Sequence, residues 1–520
     1  MVLSLIIFKY GTNHNRKMSN DAIKSIAKGA LWMFLGFFLA KILSYFYRIV
    51  IARIGTYEYG LLSLMLAVFG IFTAFALLGL NYGVVRYVAF YQGKKDDART
   101  KGTILSSLKI ALPWSIVLAF GLYISSDLIA VGIFNEPNLS LLLKIISFAL
   151  PLEVTKSLLL KVAKGFKKIE YMVYVKDITE GVAKIILTLI FLYIGLAVYG
   201  AALAYTCALF ICALLALYFL EWRIFPIFRS KTKSINETKK LFKYSWPMLF
   251  SDFLFLIVLW TDTFMLGYFK TIADVGIYNA ASPTAQLMFV VPSAIASMFF
   301  PVLSGLYAKK EMSDFKVTYK VINKWIYAIN IMVAILFVVF ARQILNILFG
   351  SEYAIGAIAF IILTVGYFLS SLSWTAKTVL IVMKETKFIL FLSLLGAGLN
   401  IILNFFLIPD YSLAGAAIAS AISFIVVTIA TIIYTYKVSK INPFDFTYLK
   451  VLLSALVAGV AMWFLQGWVG LGGILSLVVG SSLFVAIYLG MLLITKSFEE
   501  KDKMIFKTIK DKIFGEKSDS

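Results

Sequence analysis

Several charged side chains lie within long apolar stretches of the sequence, where an isolated charge is costly. Lys41, Tyr45 and Arg48 follow one another at intervals of four and three residues, so on a helix they would form one stripe. An ammonium and a guanidinium in this arrangement suit an anion, because Arg can hold a phosphate group through two parallel N–H donors. The spacing predicts an anion-binding stripe, and ion pairing between helices is the structural alternative.

The other charges in apolar stretches form two groups. The first contains further candidates for a hydrated, net-positive substrate-binding cavity: Arg53, Glu58, Arg86, Asp252, Asp262 and Lys377. The second contains acids and bases about one helical turn apart, which would either couple transport to an ion or form structural ion pairs: Glu153, Lys156, Asp177, Glu180 and Lys184. For Glu153 with Lys156 we favour a structural pair.

No spacing typical of catalysis or of a cofactor site is visible. The one histidine, His14, precedes the first apolar stretch, and no phosphate-binding glycine loop, zinc spacing or Ser-His-Asp set occurs. Cys207 and Cys212 are five residues apart and would not share a helix face, so we expect neither a disulfide nor a metal pair. The sequence predicts a protein without cofactors that is not an enzyme and not, by itself, an ATP-driven pump.

The composition indicates that these charges lie in a membrane. Of the 520 residues, 61% are hydrophobic and 15% charged, against about 45–50% and about 25% in soluble domains. The apolar stretches are about 20 residues long or longer, which is the length of a membrane-spanning helix and too long for the strands of a barrel. The fold class is therefore predicted to be an all-α polytopic membrane protein.

The apolar stretches predict about 14 spans. They lie at 29–52, 61–90, 103–126, 139–163, 172–196, 198–221, 244–269, 279–307, 322–349, 354–383, 388–408, 412–437, 448–468 and 471–495.

The distribution of the 49 Lys and Arg residues predicts the orientation. Segments on one side hold most of them, whereas the opposite loops hold only Arg53, Lys270 and Arg342. By the positive-inside rule the basic side is cytoplasmic, so both termini are predicted to be cytoplasmic, in the cell (cytoplasmic) membrane. The net charge of +22 is explained by this topology, and no nucleic acid is expected as a partner.

The sequence repeats itself at an offset of about 215 residues. The matched landmarks are Lys94-Lys95 with Lys309-Lys310, Phe134 with Phe349, Gly181 with Gly396, Gly200 with Gly415, and Gly60 with Gly276. Six spans per repeat is an even number, so the two repeats have the same orientation in the membrane. This predicts two parallel six-helix lobes, followed by two trailing helices that the repeat does not include.

The spans and the repeat divide the chain into six segments. They are a cytoplasmic N-terminal tail (1–28), an N-lobe of spans 1–6 (29–221), a basic inter-lobe loop (222–243), a C-lobe of spans 7–12 (244–437), spans 13–14 (438–495) and a basic tail (496–520). Residues 1–17 do not fit a signal peptide, and Met18 is a second candidate start. The last segment is expected either to lie on the inner leaflet as an amphipathic helix or to be a solvated tail.

Several short motifs resemble those of Wzx-type polysaccharide-biosynthesis flippases. They are Lys28-Gly29-Ala30, Ala52-Arg53-Ile54-Gly55, Glu58-Tyr59-Gly60-Leu61, Gly79-Leu80, Val84-Val85-Arg86-Tyr87, Thr261-Asp262, Gly276-Ile277-Tyr278, Pro292, Phe300-Pro301-Val302-Leu303-Ser304 and Leu348-Phe349-Gly350-Ser351-Glu352-Tyr353. The resemblance extends over about residues 24–440, in an order and spacing that make the set more specific than any one motif.

This resemblance implies membership of the multidrug/oligosaccharidyl-lipid/polysaccharide (MOP) superfamily, in which two six-helix lobes form a V. It implies that the protein translocates a polyprenyl- or dolichyl-linked oligosaccharide from the inner to the outer leaflet by alternating access. The implied partners are the lipid-linked oligosaccharide, membrane lipids and, as further candidates, glycan polymerase or transferase proteins. Arg53, Glu58, Arg86 and Asp262 occupy family-like positions, whereas Lys41, Arg48 and Lys377 are selected from the residues alone.

Four alternatives remain open at this stage. A cation-coupled multidrug or organic-cation antiporter of the same superfamily would need an acidic, aromatic site, which the basic first-span stripe disfavours. A lipid II-type flippase is a closer relative. A membrane-embedded glycosyltransferase, ligase or polymerase would need a sizeable outer loop with acids or bases, and the outer loops are short. A scaffold for glycosylation enzymes is the fourth.

Overall fold

The computed structural model describes residues 39–466 and 473–497 of the chain. Helices dominate these two ranges, and no strand occurs within them. In this part of the chain, eight helices are long and apolar enough to cross a membrane. The predicted class, an all-α polytopic membrane protein, is confirmed, and the count of 14 spans stays a prediction. The N-terminal tail with Met18, and the C-terminal tail from residue 498 onward, lie outside the described residues.

The chain forms two compact units, which meet in sequence between Asn279 and Ala280. The helices of the first unit follow one another through its described part. They are α1 (39–52), α2 (Thr56–Leu77), α3 (Leu80–Gly93), α4 (Asp97–Asp127), α5 (Pro137–Ser147), α6 (Ala149–Gly165), α7 (Ile169–Met172), α8 (Glu180–Tyr193), α9 (Ala197–Phe219), α10 (Thr238–Phe269) and the start of α11 (Ile272–Ala285). Short π-helical segments at Leu128–Ile133, Val173–Thr179 and Leu220–Ile224 extend α4, precede α8 and extend α9.

The second unit begins within α11 and is also helical in its described part. Its helices are α12 (Val290–Ala308), α13 (Met312–Val339), α14 (Ala341–Leu348), α15 (Ala357–Ser371), α16 (Trp374–Val382), α17 (Thr386–Ser439), α18 (Thr447–Gln466) and α19 (Gly473–Ile494). The long α17 contains a break at Ser412, whose φ is 48°. This break separates the predicted spans 388–408 and 412–437. Short 3-10 turns lie at Gln286–Phe289 and Ser351–Gly356.

The trailing helices α18 and α19 pack on α13 within the second unit. Tyr327 and Ile331 of α13 belong to one buried apolar cluster with Tyr448 and Phe484 of the trailing pair. A hydrogen bond from Asn323 to the hydroxyl of Tyr448 measures 2.9 Å. The two helices outside the sequence repeat are therefore attached through a buried apolar surface with a polar contact.

The second predicted span, 61–90, is not one continuous helix. Leu78 and Gly79 have φ of 49° and 67°, in the left-handed region, and separate α2 from α3. A Cβ on Gly79 would also overlap the carbonyl oxygen of Ser245 on α10. Both the backbone conformation and the close approach of α10 therefore require glycine at this position.

Helix α10 runs antiparallel to α2 and α3 along their length. Gly83 of α3 faces Ser245 near one end, and Gly70 of α2 faces Trp260 near the middle. At the other end of the contact, a Cβ on Gly267 would approach the side chain of Leu64 to 2.8 Å. Small residues let neighbouring helices in a membrane approach closely, so this row of glycines explains why α10 belongs to the first unit.

Helix α2 also crosses α11 at a contact between two glycines. A Cβ on Gly60 would overlap the carbonyl oxygen of Ile272, and a Cβ on Gly276 would overlap that of Thr56. In the sequence repeat Thr56 corresponds to Ile272 and Gly60 to Gly276, with one offset for both pairs. The contact therefore joins two segments that correspond in the repeat, Thr56 to Gly60 and Ile272 to Gly276.

Lysines rather than glycines end many of the helices. Their φ angles are positive, and all lie in turns on the predicted cytoplasmic side: Lys95, Lys167, Lys310, Lys384, Lys440 and Lys496. After α3 the N–H of Asp96 donates to the carbonyl of Tyr91 at 3.0 Å, and after α12 Glu311 donates to Leu306 at 3.0 Å. These are the Schellman-type bonds that close a helix. We refer to the six residues as the turn lysines.

Candidate functional site

Arg48 of α1 is held by a hydrogen-bonded chain that ends on α11. Its Nη1 donates to the hydroxyl of Tyr59 at 3.1 Å, and that hydroxyl donates to the carbonyl oxygen of Asn279 at 3.1 Å. Tyr59 is buried and Arg48 is half-buried. No carboxylate forms an ion pair with Arg48 in the described part of the chain. A guanidinium has five N–H donors, so Arg48 is oriented by its neighbours and still has donors for an anion.

In the predicted stripe, Lys41 is more exposed than Arg48, and Tyr45 is half-buried like Arg48. Arg53, a further candidate, is exposed just after α1. The carboxylate of Glu58 lies over Gly55, the residue that precedes α2, so closely that a Cβ there would overlap it. This position suits an acid at the positive end of a helix. Glu58 thus has a local structural explanation, whereas Arg48 is hydrogen-bonded to the buried Tyr59.

Four predicted residues form one connected ion network in the first unit. Nζ of Lys156 lies 2.6 Å from Oε2 of Glu153 on the same helix and 2.6 Å from Oε2 of Glu180 on α8. Nζ of Lys184 lies 2.7 Å from Oε1 of Glu180. The hydroxyl of Ser157 donates to Glu153 at 2.8 Å. The network therefore joins α6 to α8 through contacts that the spacing of Glu153 and Lys156 alone does not reveal.

This network is buried and balanced in charge. The side chains of Lys156 and Glu180 are 3% and 12% exposed, and two ammonium groups face two carboxylates. Nζ of Lys184 also lies 3.7 Å from the ring centroid of Tyr205 on α9, a cation–π contact. Asp177, half-buried in the π-helical segment before α8, makes no ion pair with the residues described here. The geometry explains four of the five predicted charges as mutual partners.

Arg86 lies at the other end of the first unit's second span, on α3. Its side chain is exposed, and its guanidinium carbon lies 4.4 Å from the ring centroid of Tyr244 on α10. The structure therefore separates Arg86 from Arg48, which lies beside the opposite end of this broken span.

Asp262 of α10 is buried and accepts a hydrogen bond of 2.5 Å from the hydroxyl of Tyr278 on α11. The next residues along the two helices, Thr263 and Asn279, form a second contact between them, at 3.2 Å. Asp262 thus contributes to holding α10 against α11. Asp252 lies on α10 as well, but its side chain lies outside the described residues.

Lys377 is the one predicted site residue in the second unit. It is half-buried on α16, among buried neighbours such as Ala376 and Thr378. The salt bridges of the described residues include no partner for it. A lysine in a membrane span without a carboxylate partner is costly, so the proposed role of Lys377 in binding an anionic group stays a prediction.

The residues that sequence reasoning missed are mainly tyrosines. Tyr59 orients Arg48, Tyr205 covers Lys184 and Tyr278 binds Asp262. Tyr59 and Tyr278 lie in two of the short motifs quoted above, one residue before Gly60 and two residues after Gly276, so their position was a usable signal. Nothing in the sequence distinguishes Tyr205 from the many other aromatic residues of the spans.

Two family models match the chain. The model described as polysaccharide biosynthesis protein matches residues 26–307, which is more than half of the chain, and the model described as MatE matches residues 247–406. The first range includes Arg48, the ion network and Arg86. The second includes Asp262 and Lys377.

Two archaeal proteins are similar in sequence over long ranges. An uncharacterized membrane protein of Methanocaldococcus jannaschii is 25% identical over 511 residues, covering 93% of this chain and 98% of that protein. A protein of Haloferax volcanii named "Probable low-salt glycan biosynthesis flippase Agl15" is 29% identical over 284 residues, covering 53% of this chain and 57% of that protein.

The fold is similar to that of a solved structure, described as the lipid II flippase MurJ in an inward closed conformation. The TM-score is 0.70 at 16% sequence identity, and the match covers 89% of this chain and 98% of that one. At this identity the likeness shows the fold, and the family match supplies the assignment. The resemblance predicted from the motifs is confirmed. The chain belongs to the polysaccharide biosynthesis protein family, within the MOP superfamily of membrane transporters.

Proposed function

We propose that this protein flips a polyprenyl- or dolichyl-linked oligosaccharide from the inner to the outer leaflet of the cell membrane. The observation that carries this proposal is the family match over residues 26–307. The similarity to a glycan biosynthesis flippase and the fold of a lipid II flippase support it. The flipped lipid would then be consumed by a glycan transferase or polymerase at the outer face.

The physical requirements of this task fit the residues of the first unit. A sugar head group cannot cross hydrocarbon with its hydroxyls unsatisfied, so a flippase has to supply polar partners at membrane depth. The phosphate next to the lipid tail needs a cation there as well. Arg48 meets this need, because Tyr59 orients its guanidinium and no carboxylate neutralises it in the described part of the chain.

Alternating access between the two repeats supplies the movement in this proposal. With both termini in the cytoplasm, an anionic head group moves outward across the membrane. An inside-negative potential favours that direction by about 2.3 kcal/mol per full charge for each 100 mV. No ATP-binding motif is visible in the sequence, so the potential, an ion gradient or downstream consumption of the glycan would drive net transport.

A second candidate, a cation-coupled multidrug antiporter, is favoured by the MatE match over residues 247–406. Such a protein needs an acidic site facing its cationic substrate. The acids of the buried network, Glu153 and Glu180, already hold Lys156 and Lys184, so they offer little net negative charge. Asp262 is engaged by Tyr278. These contacts favour the flippase over the antiporter.

The test is flipping in liposomes. The purified protein is reconstituted with a fluorescent polyprenyl- or dolichyl-linked oligosaccharide, and the appearance of the label in the opposite leaflet is followed. Wild type, Arg48→Ala and Arg342→Ala are compared, because Arg342 is an exposed arginine of a predicted outer loop. We expect flipping by wild type and Arg342→Ala, and its loss in Arg48→Ala.

The other outcomes each exclude a part of the proposal. Flipping by Arg48→Ala at the wild-type rate would remove Arg48 from the phosphate site. Flipping of lipid II alone would assign the protein to the lipid II-type alternative. No flipping of any lipid-linked sugar, with uptake of a cationic dye driven by a proton or sodium gradient, would identify an antiporter.

A further inference from the structure

A second group of cations and aromatic rings lies where α3 meets the start of α10. The ammonium of Lys240 donates to the hydroxyl of Tyr91 at 2.7 Å and lies 5.1 Å from the ring centroid of Tyr87. The guanidinium carbon of Arg86 lies 4.4 Å from the ring centroid of Tyr244. The rings of Tyr87 and Tyr244 are themselves in edge-to-face contact at 5.6 Å. We call these five residues the tyrosine–cation cluster.

The cluster carries more positive charge than its neighbours neutralise. Arg86 has no carboxylate partner among the residues that the structure describes. Lys240 reaches Glu237 at 3.8 Å, with its own side chain 51% exposed, and Glu237 is shared with Arg99 at 3.6 Å. At these distances, and with a half-exposed cation in each pair, Glu237 neutralises little of the charge. The hydrogen bond to Tyr91 holds the pKa of Lys240 above its ordinary value, so its ammonium stays charged.

The geometry leaves the polar edge of Arg86 available. A guanidinium has five N–H donors, so the contact of Arg86 with Tyr244 leaves donors that can hold two phosphate oxygens. Lys240 adds a second charge from the neighbouring helix. Both side chains are exposed, so a ligand can reach them without rearrangement of the buried packing at Gly83 and Ser245.

We propose that the tyrosine–cation cluster is a binding site for the phosphate group of a membrane-anchored lipid, separate from Arg48. It lies on the side of the membrane that carries Lys94, Lys95 and the inter-lobe loop, which the charge distribution predicts to be cytoplasmic. A lipid there presents its phosphate at the level of the interface, where tyrosines are also favoured. The site would receive the phosphate before Arg48 does, and this order rests on the proposed function.

Two sources of the phosphate are possible in a membrane, the pyrophosphate of a lipid-linked sugar and the head group of an anionic phospholipid. The pyrophosphate carries more charge and more acceptor oxygens, which suits two cations contributed by two helices. A surface attraction without a defined site would involve the neighbouring lysines Lys239 and Lys243 equally, because both are exposed on the same first turns of α10.

The experiment measures lipid binding by the purified full-length protein with native mass spectrometry. The probes are polyprenyl pyrophosphate, phosphatidylglycerol and the zwitterionic phosphatidylethanolamine. The Arg86→Gln/Lys240→Gln variant is compared with Lys239→Gln/Lys243→Gln, which loses the same charge from the same region. We expect the first variant to bind polyprenyl pyrophosphate at least about tenfold more weakly, since each charged hydrogen bond contributes about a tenfold factor. The second variant is expected to bind like wild type.

Two further variants separate binding from folding. Lys240→Gln alone leaves the contact of Arg86 with Tyr244 in place, and Arg86→Lys keeps the charge but lacks the planar donor edge. Each is expected to weaken pyrophosphate binding while the melting temperature stays near that of wild type. A loss of binding accompanied by a matching loss of melting temperature in both would show that the cluster is structural and would overturn the proposal.

The remaining outcomes are equally distinct. Weakened binding of phosphatidylglycerol as well, with competition between the two lipids, would keep the site and assign its phosphate to the phospholipid. Equal losses in the two double variants, or no loss in either, would overturn the site. Binding does not require transport, so a protein that flips no lipid-linked sugar but binds pyrophosphate through Arg86 and Lys240 would refute the proposed function and leave this inference standing.

Discussion

Gly60 and Gly276 form the two sides of one symmetric contact. Each glycine faces the carbonyl oxygen of the residue four positions before the other, Ile272 in one direction and Thr56 in the other. The same backbone interval thus meets its own repeat copy, as in an isologous interface between two identical subunits. No side chain larger than hydrogen fits on either side.

Replacing either glycine by alanine is expected to destabilise the protein. A Cβ at Gly276 would overlap the backbone of α2, and backbone cannot move aside as a flexible side chain can. Forcing extra volume into packed structure costs about 1–3 kcal/mol. Gly60→Ala and Gly276→Ala should each lower the melting temperature in detergent, by similar amounts if the contact is symmetric.

Gly305→Ala is the matched control, because that helical glycine has open space around the added atom. Its melting temperature should equal or exceed that of wild type, since alanine is the better helix former. Equal unfolding temperatures for Gly276→Ala and Gly305→Ala would contradict the close contact between α2 and α11 described here.

Lys156→Met is expected to be strongly destabilising. It leaves Glu153 and Glu180 facing each other without the ammonium that lies 2.6 Å from both. Removing one partner of a buried ion pair costs about 3–5 kcal/mol. The melting temperature should fall clearly, and the double change Lys156→Met/Glu180→Gln should cost less than the sum of the two single changes.

The comparison for this prediction is Lys144→Met, at an ion pair where the side chains of Lys144 and Asp127 are 31% and 67% exposed. Such a pair contributes about 0–1 kcal/mol. Equal melting temperatures for Lys144→Met and Lys156→Met would show that the buried network does not stabilise the first unit.

Lys377→Met is expected to change stability and transport in opposite directions. A half-buried ammonium without an ion-pair partner in the described residues carries an uncompensated cost, so removing its charge should raise the melting temperature. If Lys377 binds an anionic group of the substrate, the same change should slow flipping. The flipping assay and thermal unfolding are therefore run on one protein preparation.

Lys387→Met, an exposed lysine at the start of α17, should alter neither quantity. A fall in the melting temperature of Lys377→Met, with flipping unchanged, would instead identify Lys377 as a structural residue.

Lys310→Gly is expected to stabilise the turn after α12. The φ of Lys310 is 60°, a conformation that costs an L-residue about 1–2 kcal/mol and glycine almost nothing. After the greater entropy loss of glycine on folding, a gain of about 0.5–1 kcal/mol remains. The free energy of unfolding is compared with that of Lys309→Gly, whose φ of −82° gives no such relief. A gain in both variants, or in neither, would contradict this explanation.

The orientation can be tested with cysteines in a background that lacks Cys207 and Cys212. A cysteine in place of Lys517 should be protected from an impermeant reagent in intact cells and labelled after permeabilisation. A cysteine in place of Asn135, exposed in a predicted outer turn, should be labelled without permeabilisation. Labelling of position 517 in intact cells would place the C-terminus outside and refute the predicted topology.

The fold class was predictable because it depends on length and apolarity, which are local properties of the sequence. The six-span repeat stays a prediction, which rests on landmarks such as Gly60 and Gly276 that keep their order along the sequence. The direct contact between these two glycines was not predictable. The distance between them in the sequence shows that their positions correspond, but it does not show that they touch.

The candidate site was predictable only within single helices. The spacing of Glu153 and Lys156 on one helix indicated a pair. The structure adds Glu180 from α8, a contact between two helices that spacing within one helix cannot predict. The hydrogen bond between Arg48 and Tyr59 was not predicted, because it depends on how the chain turns between α1 and α2. The break within the second span was not predicted, because the left-handed residues Leu78 and Gly79 interrupt a stretch whose hydropathy is uniformly high.

The turn lysines have a consequence for how such a protein is made. A lysine in the left-handed conformation follows α3, α6, α12, α16, α17 and α19, one or two residues after the last helical residue. Glycine would adopt this backbone conformation with less strain, but it has no positive charge to favour the cytoplasmic side of the bilayer. On the cytoplasmic side that the charge distribution predicts, each of these lysines would serve twice. It forms the turn, at a backbone cost of about 1 kcal/mol, and it supplies the positive charge that would retain a short connection on that side during insertion.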